Sequence, residues 1–480
     1  MDIPRILLEQ TKALVSSNAA KKHSKTYIPK LPEGKFDKIK KPVSDHFTFG
    51  FAQETVMPED KIPGKKKYYV AGYRINNPAV GVLDDLQAKA LWIDDNSGRG
   101  GVVFAVVDCV GLFGVDVAEI RNRLGRFCAD TKCRSVNIFA THCHAGIDTM
   151  GMWGPLPRSG RDKDFMEIVY NGVVKAVKKA YANRTDGQIY LGKAKADEGW
   201  QRDQRPPEVF SDVITRLRFV PDDGSDETYF INFATHPESL EGKNSLVSAD
   251  IPCYMAKYVK EHKNANMMFF PGAIGAMCMH PFDDNNIIST MKTGQMIGEK
   301  ICKIKKETKL RPMINILRQE TYLTCENPVF WLASKINIIP EPMVITGKGE
   351  LNLGMKTELS YIQLGSLNML LIPGEIFPEL VYGGYLSEDE SGTGKSPDIN
   401  PEPLCEIADD DDLLVFGLAN GEIGYIVTPN DFVLDNRLPY INQAKDKNGR
   451  NHYHETNSLN AITAYEIADT VKSMIEIVKK

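Results

Sequence analysis

The 480-residue chain has no long apolar run: nowhere does it approach the ~18 uncharged apolar residues of a membrane-crossing helix. Its first residues, MDIPRILLEQTKALVSSNAAKKH, hold no apolar stretch of signal length and carry Asp2 near the start. Concentrated positive charge is also missing. The formal net charge is -5 at pH 7, so no global field gathers nucleic acid or an anionic membrane, and neither partner is expected. The nine cysteines include no CxxC pair, and Cys109, Cys143 and Cys278 lie in apolar runs where a thiol packs as a small hydrophobe. Disulfides are therefore not expected, and the expected compartment is a reducing cytoplasm.

What is present is ordinary globular material. Hydrophobic residues at 42% and charged residues at 25% exclude a mostly disordered or fibrous chain. Residues 1–44 read as a basic, Pro-punctuated surface arm, with ten Lys or Arg against five Asp or Glu up to Asp45. Its IPRILLEQTKALV stretch has the spacing of a short helix that packs on the domain or on a second subunit, which leaves a homo-oligomer open. From residue 45 to 480 no low-complexity linker interrupts the chain, and one domain is expected.

Apolar β-rich runs alternate with helical periods, predicting a mixed α/β (α+β) fold with a β-sheet core flanked by helices. GVVFAVVDCVG (101–111) and SVNIFATHCH (135–144) read as strands joined by the amphipathic VAEIRNRLGRFCADTKC. The segment 164–182 places Phe165, Ile168, Val169, Val173, Ala176, Val177 and Ala180 on one helical face and Lys175, Lys178 and Lys179 on the other. Further strands are expected at 229–236, 266–275, 367–375 and 413–427.

Four of these runs end in a group that binds metals: His142 and His144, His236, Glu375, and Tyr425. In α/β sheets, ligands gather beyond the carboxyl ends of strands, where distant segments converge. Any one histidine there is more often the partner of a backbone carbonyl. Two His and one Glu together supply the three protein ligands of a catalytic zinc. His142 and His144, two apart on an extended segment, share a face. Such an HxH pair also opens the TIM-barrel metal amidohydrolases, the second-ranked fold.

Taken in order, residues 45–470 resemble the neutral/alkaline ceramidase family. The family's THTHSGP stands here as Thr141-His142-Cys143-His144-Ala145-Gly146-Ile147; its second histidine motif as FATHPESLEGKNSLVSAD; its lPGE as Ile372-Pro373-Gly374-Glu375; its tyrosine motif as NGEIGYIVTPNDF. The resemblance implies a zinc ion held by His142, His236, Glu375 and Tyr425. It also implies a substrate-contacting arginine, matched by Arg205 in QRDQRPPE, with Arg202 as the alternative. The expected activity is hydrolysis of a linear N-acyl amide, with a small-molecule or lipid-like substrate. Within that reading His144 is the proton carrier, and Tyr425 and Arg205 face the developing oxyanion.

One segment departs from the family pattern: Gly275-Ala276-Met277-Cys278-Met279-His280-Pro281 lacks the polar group expected there. Cys278 and His280 stand near its place as substrate-binding candidates, and the substrate is expected to differ from ceramide. Cys278 reads as a packed thiol in preference to a nucleophile. The altered segment also raises a non-catalytic binding protein on the same scaffold, against which stands retention of every ligand, costly to bury without a metal. His452-Tyr453-His454 reads as surface, with closure over the cleft as the alternative.

Overall fold

The computed structural model describes residues 31–279, 282 and 286–480, with 9, 10, 12 and 13. Two sheets pack face to face with helices outside both. The larger sheet runs in the order Asn266–Pro271, Thr228–Phe233, Val213–Pro221, Thr185–Lys195, Phe47–Thr55, Gln87–Asp94, Val102–Val107, Ser135–Ala140. Its outermost pairs, Asn266–Pro271 with Thr228–Phe233 and Val102–Val107 with Ser135–Ala140, are parallel, and the inner pairs are antiparallel. The second sheet is ordered Ile314–Cys325, Leu353–Leu364, Leu367–Leu371, Leu414–Phe416, with only its last pair parallel. This mixed pairing excludes the TIM barrel, whose strands are all parallel.

The parallel strands are buried apart from the half-buried first residues Asn266 and Ser135, which accounts for their continuous apolar runs. Between the sheets lies an aromatic core of Phe104, Phe139, Phe230, Phe270 and Phe416. Phe230 and Phe270 stack with centroids 4.0 Å apart, and Phe139 meets Phe270 edge-on at 4.8 Å. Each such pair adds about 0.5–1.5 kcal/mol beyond area burial.

Helices Gly114–Thr131 and Lys163–Ala182 cover one part of the larger sheet's outer face, and Asp250–Lys263 with Ile287–Cys302 the other. The helix Lys163–Ala182 starts where Asp162 accepts the Phe165 N–H at 2.9 Å. It buries six of the seven residues expected, with Ile168 at the half-buried margin. Thr463–Lys479 covers the second sheet.

The expected strand 413–427 is broken. Leu414–Phe416 ends, Leu418 and Asn420 take left-handed backbone (φ 53° and 61°), and pairing resumes only at Tyr425–Ile426. Most of the basic arm lies outside the described residues. At its described end, Asp37 pairs with Ile316 and with the guanidinium groups of Arg99 and Arg134, so this stretch lies on the body of the fold.

Candidate metal centre

Strand Ser135–Ala140 delivers the first histidines. Beyond it His142 adopts φ 64°, a conformation unusual for a non-glycine residue. Its Nδ1–H donates to the Val110 carbonyl at 2.7 Å, which leaves Nε2 as a bare lone pair. The turn is held by Asn420, which donates its backbone N–H to the Ile138 carbonyl at 2.7 Å and accepts the Ile138 N–H at its side chain at 2.9 Å. The break in the expected strand therefore has a purpose: it lets 418–424 cross to the other sheet.

The same loop fixes the carboxylate. Leu418 and Ile423 donate to the Gly374 and Pro373 carbonyls, and Glu375 donates to Gly424. Glu375–Ile376 and Tyr425–Ile426 then pair in parallel, with Glu375 beside Tyr425. His236 enters from the end of Thr228–Phe233.

The groups converge. His236 Nε2 lies 3.0 Å and His142 Nε2 3.3 Å from Glu375 Oε2, and His144 Nε2 lies 3.0 Å from His142 Nε2. Nitrogens of His142, His144 and His236 all fall within 4.8 Å of one another. Burial disfavours a charged Glu375, but the His142 and His236 rings hold its carboxyl below the ordinary range. Burial, then the neighbouring His142 and His236 rings, pushes His144 well below the usual imidazole range. His236 is likewise opposed by burial, yet Glu238 and Glu375 raise it.

This donor set fits a metal ion. A bare His142 Nε2 and the Glu375 carboxylate face each other at 3.3 Å, two electron-rich groups that a cation between them would satisfy. The buried Nδ1 atoms of His144 and His236 have no hydrogen-bond partner. Imidazole nitrogen with carboxylate oxygen suits zinc, iron or manganese.

The other expected site residues fall into three groups. Tyr425 is close by: burial and then Glu375 push its hydroxyl pKa up, and its Oη hydrogen-bonds Tyr453 Oη at 2.8 Å. Cys278 and Arg202 are brought opposite each other on the ribbon Gln201–Asp203/Met277–Met279, where Arg202 Nε donates to Cys278 Sγ at 3.4 Å. Burial raises the Cys278 thiol pKa, as befits a packed thiol. His280 lies outside the described residues.

Arg205 is placed differently from the expectation. Its guanidinium is buried and donates to Glu455 at 3.1 Å and to the Asp431 carboxylate and carbonyl. Two carboxylates thus consume the donors that an oxyanion would need. His452 and His454 are also not surface residues, at 1% and 2% exposed. His454 is packed edge-on against Tyr425 and Phe377 and tilted against Tyr453, with centroids 4.0 Å apart. Burial and then Arg205 push it down to about 3, so it is neutral.

Sequence reasoning missed Tyr73, Glu238 and Glu422. Tyr73 donates to Glu238 Oε2 at 2.6 Å and meets the His144 ring edge-on at 5.4 Å, while His144 Nδ1 lies 3.9 Å from the same oxygen. Glu238 stood two residues past His236 as the only available hint. Glu422 is buried with one oxygen unpartnered, and burial and then Glu375 push its carboxyl well up. A second group, Asp431, Asp446 and His452, also has metal-like spacing. There Arg450 Nη2 already lies 3.0 Å from Asp431 and 2.7 Å from Asp446, so a guanidinium fills the cation's place.

Residues 66–304 match the family described as neutral/alkaline non-lysosomal ceramidase, N-terminal. A neutral ceramidase of Drosophila pseudoobscura pseudoobscura is 25% identical over 222 residues, which cover 42% of this chain and 31% of that protein. The chain thus aligns with less than a third of that relative. The crystal structure of neutral ceramidase from Pseudomonas aeruginosa superposes with a TM-score of 0.65 at 15% identity, covering 90% of this chain and 75% of that one. A structure titled as ceramidase complexed with C2 gives a TM-score of 0.64 at 15% identity, covering 90% and 76%. His142, His144 and His236 fall inside the segment 66–304, whereas Glu375 and Tyr425 lie beyond it. Residues 66–304 are thus similar to the N-terminal segment of the neutral/alkaline ceramidase family, and the chain shares the fold of the neutral ceramidase structures.

Proposed function

We propose that the chain is a hydrolase that cleaves the amide bond of an N-acyl compound at a zinc centre held by His142, His236, Glu375 and Tyr425. The observation that carries this reading is the meeting of the His142 and His236 Nε2 atoms at one oxygen of Glu375, 3.3 and 3.0 Å away. When bound, zinc supplies a water acidified to a pKa of roughly 7 and a Lewis-acid contact for the scissile carbonyl. The similarity of residues 66–304 to the neutral/alkaline ceramidase family supports the amide-hydrolase class.

The chain's own groups supply the proton handling. His144, kept neutral by burial and its neighbouring rings, is set to take a proton on the imidazole and pass it to the leaving amine. Glu238, beside its Nδ1, favours the protonated ring once formed. The Tyr425 hydroxyl stays protonated under burial and next to Glu375, and so remains a donor toward a developing oxyanion. Arg205 serves from behind by pinning Asp431 and Glu455. The substrate proposed is an N-acyl compound other than ceramide, because Ala276, Met277, Cys278 and Met279 replace the polar segment with apolar or thiol side chains.

The test combines metal analysis by plasma mass spectrometry with a panel of N-acyl amides that includes ceramide. One zinc per chain, lost in His236→Ala together with amide hydrolysis, is the expected result. Absence of metal after zinc addition would overturn the mechanism, and ceramide as the best substrate would overturn the substrate assignment alone.

A further inference from the structure

The helix Gly114–Thr131 ends in a turn that holds two cysteines, at the opposite end of strand Ser135–Ala140 from His142 and independent of the activity proposed above. Lys132 takes left-handed backbone (φ 55°), and the N–H groups of Lys132 and Cys133 both reach the Cys128 carbonyl, that of Cys133 at 2.9 Å. In this helix ending the side chains bracketing the turn ordinarily meet in a hydrophobic contact. Here both are cysteines, and both side chains pack against the same apolar core beneath the helix. Both are half-buried, whereas Cys109, Cys143, Cys278, Cys325 and Cys405 are buried.

We propose that Cys128 and Cys133 form a modification site, oxidised reversibly to a disulfide by exchange with a low-molecular-weight disulfide such as oxidised glutathione. Hydrogen bonding from Cys133, supplemented by the Arg121 charge, lowers the Cys128 thiol pKa, while Cys133 is pushed up by the same contact and by burial. Cys128 is therefore the attacking sulfur. Its thiolate attacks one sulfur of the small disulfide, releasing one small thiol and leaving a mixed disulfide on Cys128. Cys133 then loses its proton, attacks the Cys128 sulfur and expels the second small thiol. Two electrons and two protons pass from the protein thiols to the small disulfide, which ends as two thiols.

The contact is built by the turn and not by chance proximity in a loop. Gly100 packs against Lys132 so closely that an added Cβ would lie 2.0 Å from the Lys132 carbonyl oxygen, and Arg134 donates to the Gly100 and Ile314 carbonyls on the far side of the pair. The Cys133 sulfur also lies 3.4 Å from the Ser135 carbonyl oxygen. The two sulfurs are thus held on a braced turn, which favours intramolecular closure over reaction with a second external molecule.

The native protein is incubated with oxidised glutathione, alkylated under denaturing conditions and digested with trypsin. Cleavage after Arg126, Lys132 and Arg134 separates Cys128 from Cys133, so a disulfide between them joins two peptides. The expected product is residues 127–132 linked to 133–134, reversed by a thiol reductant, while the buried cysteines remain alkylatable. In Cys133→Ser, Cys128 should accumulate instead as a glutathione adduct, severalfold above wild type. Independent alkylation of both cysteines, or equal adduct levels in wild type and variant, would overturn the proposal.

Discussion

Glu375 Oε2 lies 3.0 Å from His236 Nε2, although 139 residues separate the two. One residue follows a strand of each sheet, so the pair joins the halves of the sandwich. Glu375→Gln keeps the shape and removes the charge. The expected outcome is loss of stoichiometric metal after dialysis, read by plasma mass spectrometry, with the fold retained by circular dichroism. Full retention of metal would show that the imidazoles suffice.

His144 can be a ligand or a proton carrier, and one variant separates the roles. With His144→Ala, retained metal and a fall in turnover of about 10²–10⁴ are expected, the range for removing an acid–base group. Loss of metal would instead make His144 part of the coordination set.

Arg205 anchors two buried carboxylates, and Arg205→Met strips them of their partner. Destabilisation of about 3–5 kcal/mol is expected by denaturant titration, because an unpaired buried charge remains. The pH dependence has a definite sign. Burial opposes the Glu455 charge, but Arg205 and His452 hold it at about 2 against an ordinary 4.5. A depressed carboxyl stabilises fully above its unfolded value, and this contribution is lost as pH falls from about 4.5 toward 2. In Arg205→Met the acid-dependent part of the stability should shrink. An unchanged acid profile would show that Arg205 does not govern the Glu455 titration.

Phe270 is fully buried where the two sheets meet. Phe270→Ala should cost about 3–5 kcal/mol by cavity formation. A much smaller loss of denaturation midpoint would mean that the sheets close over the gap.

The strands Val102–Val107 and Ser135–Ala140 and the helix Lys163–Ala182 were legible because each is apolar along one complete face or on both. The second sheet was only half legible. Its long strands Ile314–Cys325 and Leu353–Leu364 carry charged residues such as Glu320 and Lys356 on half-buried or exposed positions, which dilutes the apolar run. The break at Leu418 could not be read from Leu and Val content, since left-handed backbone there is imposed by hydrogen bonds to Gly374 and Ile138. The histidines and Glu375 were found through motifs and strand ends. Arg205 and His454 were misread because their surroundings, Asp431, Glu455 and Phe377, arrive from distant loops.

The crossing of loop 418–424 between the sheets has a thermodynamic consequence. The proposed ion would draw its donor atoms from both layers, so its binding energy would also be cohesion between them. Saturating metal should raise the resistance of both sheets to unfolding together, and stripping it should loosen their seam first. Occupancy of a few cubic ångströms would then be reported by the melting of the whole sandwich.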